Sequence, residues 1–82
     1  MFNKDNEIYV CDIIARNLKK YRKQANLTQD EFSLKCNYSK SFVSNIESIK
    51  THQTVSLGTL YKFAKILNIP IYYLLIDDEG KE

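Results

Sequence analysis

Apolar residues recur along this chain at spacings of three and four, the period of helices with one buried face. Ile14, Leu18 and Tyr21 form one such stripe and predict a first helix from about Cys11–Asp12 to Ala25. Asn26 follows as a left-handed terminator, because Asn tolerates positive φ where Gly is missing. Thr28 with Glu31 makes a capping box at the start of a second helix, Leu27 is placed for a hydrophobic staple, and Phe32 and Cys36 face inward. Asn37 is a second left-handed stop. Ser39 then caps a third helix whose inner edge is Val43 and Ile46.

A polar connection over 48–56 leads to Ser56, the cap of a fourth helix with Leu57, Leu60, Phe63, Ala64 and Leu67 directed inward and Asn68 at its end. Pro70 suits the start of a last short helix to about Ile76. Its Ile71, Tyr72, Leu74, Leu75 and Ile76 are too many for one side of so short an element. No alternating strand run flanked by turn residues occurs, so the expected class is all-α. The periodic segment is 11–76. Residues 1–10 read as an N-terminal arm and 77–82 as a flexible acidic tail.

Eighty-two residues suffice for one small domain and leave little room for a catalytic cleft or an effector-binding domain. No apolar run approaches the roughly 18 residues of a membrane span. The N-terminus is polar and acidic, unlike a signal peptide, and the expected location is cytoplasmic. Cys11 and Cys36 lack metal or redox spacing; they read as buried thiols, with a disulfide allowed by count alone. His52, the one histidine, has no partners spaced to join it at a metal. No cofactor, metal or small-molecule effector is expected. Neither a paired nucleophile and base nor a glycine-rich phosphate loop is present, so an enzyme is not expected.

The net charge is only +2, but its distribution is uneven. Between Arg16 and Lys65 ten Lys/Arg face three acids, whereas 1–15 and 66–82 are each net negative. A basic middle between acidic ends suits a polyanion-facing body.

On the third helix Val43, Ile46 and Glu47 cluster on one side of the wheel. Ser41, Ser44, Asn45 and Ser48 occupy the opposite arc, flanked by Lys40 and Phe42. Long charged side chains would cover that arc on an ordinary surface helix. Short groups that both donate and accept let a helix sit deep in the DNA major groove, about 12 Å wide, and bond to base edges. Asn45 can pair with adenine, Lys40 can reach a guanine or a phosphate, and Phe42 offers an apolar contact to thymine methyls. The second helix begins with unpaired N–H groups at Thr28 and Gln29, suited to a phosphate. Lys19, Lys20, Lys23, Lys50 and Thr51 are further backbone-contact candidates, together with Ser39 at the start of the third helix.

With these residues in place, the chain resembles the Cro/repressor-type helix-turn-helix regulators of phage and bacteria, also called the XRE family. The resemblance covers about Ile14 to Leu75. It rests on Leu18, Arg22, Leu27-Thr28-Gln29, Phe32-Ser33, Asn37-Tyr38-Ser39, Val43 and Ile46-Glu47, then Leu60, Ala64, Leu67 and Leu74-Leu75. It implies a compact five-helix, lambda-repressor-like DNA-binding domain with the helix-turn-helix at the second and third helices. It further implies that Gln29 and the Lys40–Asn45 turn face DNA and that Arg22 pairs with Glu47. A carboxylate on the inner edge of the third helix needs such a partner. The sequence departs from the family at Ser33 (usually Ala), at Asn26 and Asn37 (usually Gly), at the bulky Phe42, and in a longer stretch from Glu47 to Leu60. Leu34 falls on a normally polar face, where the N-terminal arm is a candidate cover.

The resulting expectation is a sequence-specific regulator of double-stranded DNA, acting as a repressor or autoregulator. One such domain contacts roughly half a turn of duplex, so a homodimer on a palindromic operator is expected, with half-sites about 34 Å apart. Ile71, Tyr72, Leu75 and Ile76 are the candidates for the dimer seam. The alternatives are an antitoxin, or a helix-turn-helix module whose main partner is another protein.

Overall fold

A computed structural model describes residues 8–77 of the chain as four α-helices followed by a 3-10 helix, with no strand among the described residues. The helices are α1 (Ile8–Gln24), α2 (Gln29–Cys36), α3 (Lys40–Glu47) and α4 (Leu57–Leu67); the 3-10 helix is Ile71–Leu75. α1 begins at Ile8, so Ile8, Tyr9 and Val10, read from sequence as part of an arm, extend the helix. Residues 1–7 of the arm and 78–82 of the tail lie outside the described residues.

The last element differs from the fifth α-helix expected of the sequence. It is a 3-10 helix of five residues in which Tyr73 N–H donates to Pro70 O at 3.1 Å. Only Leu74 is fully buried there. One buried side chain gives little reason for a continuous helical face, and the tighter i→i+3 form is common in such short pieces. Leu57, expected to face inward, is 72% exposed instead. It sits in the first turn of α4, ahead of Leu60, the first residue of that helix to reach the core.

Phe32, Phe63, Leu18, Ile46, Leu74, Val43 and Cys36 form the centre of the core. The rings of Phe32 and Phe63 lie 5.3 Å apart and join α2 to α4. Isolated helices shorter than roughly 12–15 residues are marginal in water. α2 and α3, with eight residues each, therefore depend on these contacts. Each such buried side chain contributes about 1.5–3 kcal/mol. Both cysteines are buried free thiols.

Three helices end in one way. Asn26, Asn37 and Asn68 adopt left-handed φ values of 61°, 62° and 59°. After each, the next residue's N–H reaches back five positions: Leu27 to Arg22 O, Tyr38 to Ser33 O and Ile69 to Ala64 O. Leu27, Tyr38 and Ile69 then pack on the core, completing the Schellman pattern. Three helices also begin alike, with Thr28, Ser39 and Ser56 accepting from the N–H three residues on. Thr28 and Glu31 close the reciprocal capping box, Thr28 N–H to Glu31 Oε1 at 2.8 Å and Glu31 N–H to Thr28 Oγ1 at 3.0 Å.

Candidate nucleic-acid interface

α3 is fixed from within and from both ends. Val43 and Ile46 anchor its inner edge. At its C-terminal end Glu47 is almost fully buried, and Arg22 of α1 grips both carboxylate oxygens: Nε to Oε2 at 2.7 Å and Nη2 to Oε1 at 2.9 Å. Arg22 Nη1 also donates to Leu27 O at 2.7 Å. The hydrogen bonds to Glu47 raise the Arg22 pKa above its already high value, against the opposing effect of burial. The guanidinium is therefore a permanent cation matched to one carboxylate, and the pair joins α1 to the far end of α3.

The N-terminal end of α3 is braced by Tyr38. Its hydroxyl shares a hydrogen bond with Thr59 Oγ1 at 3.0 Å, and its ring meets Phe63 edge-on at 5.8 Å. Lys62 Nζ lies 4.8 Å from the ring centroid. Phe42 lies 4.8 Å from the same ring, tilted by 49°, and is half-buried against the core. Phe42 therefore has a packing role on Tyr38, beside the thymine contact that the sequence offered for it. The four-residue spacing of Tyr38 and Phe42 was the available signal.

The outer arc of α3 is unencumbered. Ser41 and Asn45 are exposed and Ser44 is half-exposed, and their side chains make no hydrogen bond to any described residue. Lys40 is exposed and only loosely held, 3.9 Å from Asp30. An ion pair this exposed is worth little, so Lys40 can exchange Asp30 for another anion. Ser39 and Thr28 use their side-chain oxygens as cap acceptors, which leaves each hydroxyl hydrogen available to donate.

Gln29 carries a contact that sequence reading missed. Its Nε2 donates to Glu47 Oε1 at 3.0 Å. The amide is thereby oriented, and one of its two hydrogens remains for an outside acceptor. Lys23, Lys50 and Thr51 are exposed at the margins of the same region. The connection 48–56 is held to α1, where His52 Nδ1 lies 3.3 Å from Asp12 Oδ1. That oxygen is buried and accepts no hydrogen bond among the described residues. His52 itself sits at φ 53°.

The candidate seam residues are not equivalent. Ile71 packs on the core, whereas Tyr72, Leu75 and Ile76 are exposed by 59%, 41% and 41%. Leu34, on the outer face of α2, is 79% exposed among the described residues. No cluster of metal-ligating side chains occurs among the described residues, and none of their helices is long and apolar enough to cross a membrane.

Comparison with known proteins bears on the family and the fold. A family model described as Helix-turn-helix matches residues 18–74. A solved structure of a hypothetical transcription factor from Neisseria superposes with a TM-score of 0.79 at 22% identity, covering 93% of this chain and 85% of that one. An HTH_3 family transcriptional regulator from Vibrio cholerae superposes with a TM-score of 0.75 at 25% identity; 84% of this chain covers 38% of that one. No curated protein matches the chain.

Proposed function

The chain belongs to the Helix-turn-helix family, and from that premise we propose that it is a transcriptional regulator that binds double-stranded DNA sequence-specifically through α3. The observation that carries this reading is the outer arc of α3. Ser41, Ser44 and Asn45 present short donors and acceptors with no hydrogen-bond partner among the described residues, on a helix whose other side is locked into the core. Such a face fits a major groove and reads base edges.

Lys40, Ser41, Phe42, Ser44 and Asn45 are the base-reading set, with Phe42 setting the depth of the others through its contact with Tyr38. Thr28, Gln29, Ser39, Lys23, Lys50 and Thr51 take backbone phosphates, which fixes register without reading sequence. Two copies bind a palindromic operator as a homodimer, joined through Tyr72, Leu75 and Ile76, and act as a repressor or autoregulator.

Selection of duplexes from a random-sequence pool tests this directly. The full chain is expected to enrich a palindromic site, with affinity falling steeply as salt rises. Asn45→Ala and Lys40→Ala are expected to relax preference at single base positions, at a cost of about 1–3 kcal/mol each. Absence of duplex binding at low salt would overturn the reading and favour a module whose partner is another protein.

A further inference from the structure

The connection that leaves α3 meets α1 again through His52. Its Nδ1 lies 3.3 Å from Oδ1 of Asp12, in the second turn of α1. Because that buried oxygen accepts no hydrogen bond among the described residues, the two groups are close without being bonded. The other polar contacts of residues 49–54 are local: Lys50 N–H to Ser48 Oγ at 3.3 Å, Thr51 N–H to Ser48 O at 3.2 Å and Gln53 Nε2 to Thr54 O at 3.2 Å. Among the described residues, His52 is thus the one polar tie between this stretch and a helix that does not adjoin it in sequence.

Such a pair responds to protons. Neutral imidazole has one N–H, on either nitrogen; imidazolium has both, and a positive charge. A proton taken from solvent therefore gives Nδ1 a hydrogen facing the unbonded Asp12 oxygen and leaves Nε2–H for water. The contact becomes a charge-assisted hydrogen bond. Histidine is the side chain that ordinarily changes charge in this range, at about pH 6.5.

The surrounding charges set the sign. Arg16, Lys19, Lys50 and Glu47 line a pocket of about 340 Å³ between α1 and the exit of α3. Glu47 is taken up by Arg22 and Gln29, and Arg16 lies 3.6 Å from Asp77. α4, into which the connection leads, has no charged residue ahead of Lys62. Asp12 thus favours the imidazolium, and the three cations oppose it. A polyanion against this side offsets the cations and removes the opposition. Protonation and duplex binding then favour one another, as linkage requires.

We propose that His52 and Asp12 form a proton-operated latch between the connection and α1, so that the chain takes up a proton at His52 when it binds duplex DNA. The latch is closed on the acid side of the imidazole range and opens as pH rises through it. This assignment rests on the DNA-binding reading and adds to it a regulatory input and two positioning residues that touch no base.

The test compares the full chain with His52→Asn and Asp12→Asn, thermal melting at about pH 8 first establishing that all three fold. Asparagine keeps the left-handed backbone of position 52 without a titrating ring. On a selected duplex at constant ionic strength, wild-type affinity is expected to rise about fivefold from about pH 8 to about pH 5.5. Calorimetry in buffers of different ionisation heat is expected to show proton uptake on binding in the wild type, less in Asp12→Asn and none in His52→Asn. Uptake undiminished in Asp12→Asn would mean that the duplex alone protonates His52, and would overturn the latch. Equal pH dependence of affinity in wild type and His52→Asn would overturn it as well, with DNA binding intact. Without duplex, the hydrogen-bonded amides of Lys50 and Thr51 are expected to be better protected from exchange at about pH 6 than at about pH 8, and only when His52 is present. Protection that ignores pH would overturn the latch whatever the chain does with DNA. A wild type that keeps this protection but binds no duplex would overturn the DNA reading and the coupling, and leave the latch itself supported.

Discussion

The Gln29 amide nitrogen donates to Glu47 Oε1 at 3.0 Å, the same oxygen that Arg22 Nη2 holds at 2.9 Å. The first residue of α2 and the last of α3 are thus pinned to one carboxylate. Their relative placement does not depend on the turn between them alone.

Removing that carboxylate leaves the Arg22 guanidinium buried with Leu27 O as its remaining acceptor. Glu47→Ala is expected to cost about 3–5 kcal/mol, the usual penalty for orphaning one member of a buried ion pair. Thermal melting checks this; a wild-type midpoint would remove the pair from any structural role. Gln29→Ala, which loses one hydrogen bond at a partly buried site, is expected to cost only about 0.5–1.5 kcal/mol.

Phe42→Ala is expected to lose about 1–3 kcal/mol, from partial burial and from the ring contact with Tyr38. Phe42→Leu retains much of the packing. If Phe42 acts on DNA only by setting the depth of α3, Phe42→Leu keeps the selected sequence while Phe42→Ala blurs it at the positions read by Lys40 and Ser41. A preference for thymine lost in both variants would show direct contact instead.

Asn17, 4% exposed on α1, donates from Nδ2 to Ile76 O at 2.8 Å. It ties the end of the 3-10 helix to α1. Asn17→Ala is expected to destabilise the domain by about 1–3 kcal/mol, because the carbonyl of Ile76 loses its partner in a partly buried place. Hydrogen exchange of the amides from Tyr73 to Asp77 should accelerate more than that of α2.

Burial pushes the Cys36 thiol from its usual value near 9 up to about 11, against a smaller downward pull from Lys62. The unfolded thiol ionises first as pH rises, so the folded state is favoured fully below about pH 9. This contribution is lost progressively between about pH 9 and 11. Denaturant midpoints measured across that range for wild type and Cys36→Ala separate this effect from tyrosine ionisation. In the native protein at neutral pH, alkylation of Cys36 is expected to require unfolding.

Charge reversal at the exposed end of the 3-10 helix tests the proposed seam. Tyr72→Glu with Ile76→Glu is expected to leave the monomer folded, since both are exposed, and to shift sedimentation from dimer to monomer at tens of micromolar. An unchanged sedimentation profile would place the seam elsewhere.

Local chemistry carried much of this structure in legible form. Thr28, Ser39 and Ser56 are caps and Asn26, Asn37 and Asn68 are stops because each acts on its own few neighbours. The inner edges of α2 and α3 were likewise readable from period alone. Contacts across large sequence separations were not, apart from the Arg22–Glu47 pair that the family resemblance implied. Nothing local distinguishes Asn17 from a surface asparagine until Ile76 arrives beside it, or marks Gln29 as a partner of Glu47. Leu57 was misplaced because helical period cannot tell where along its axis a helix first meets the core. The candidate interface was legible as a polar arc on α3, whereas the pocket at Arg16, Lys19 and Ile49 arises only where α1 packs beside the exit of α3.

The three asparagine stops bear on how the chain comes apart. Only two glycines occur in the sequence, so the unfolded ensemble gains little extra backbone freedom at the helix ends. Each stop is also followed by Leu27, Tyr38 or Ile69 inserted against the shared core. A helix end therefore cannot fray far without drawing an apolar side chain out of the interior that all the helices share. Local opening is converted into global opening, and the domain should melt as one cooperative unit, without a populated state in which α3 alone is loose.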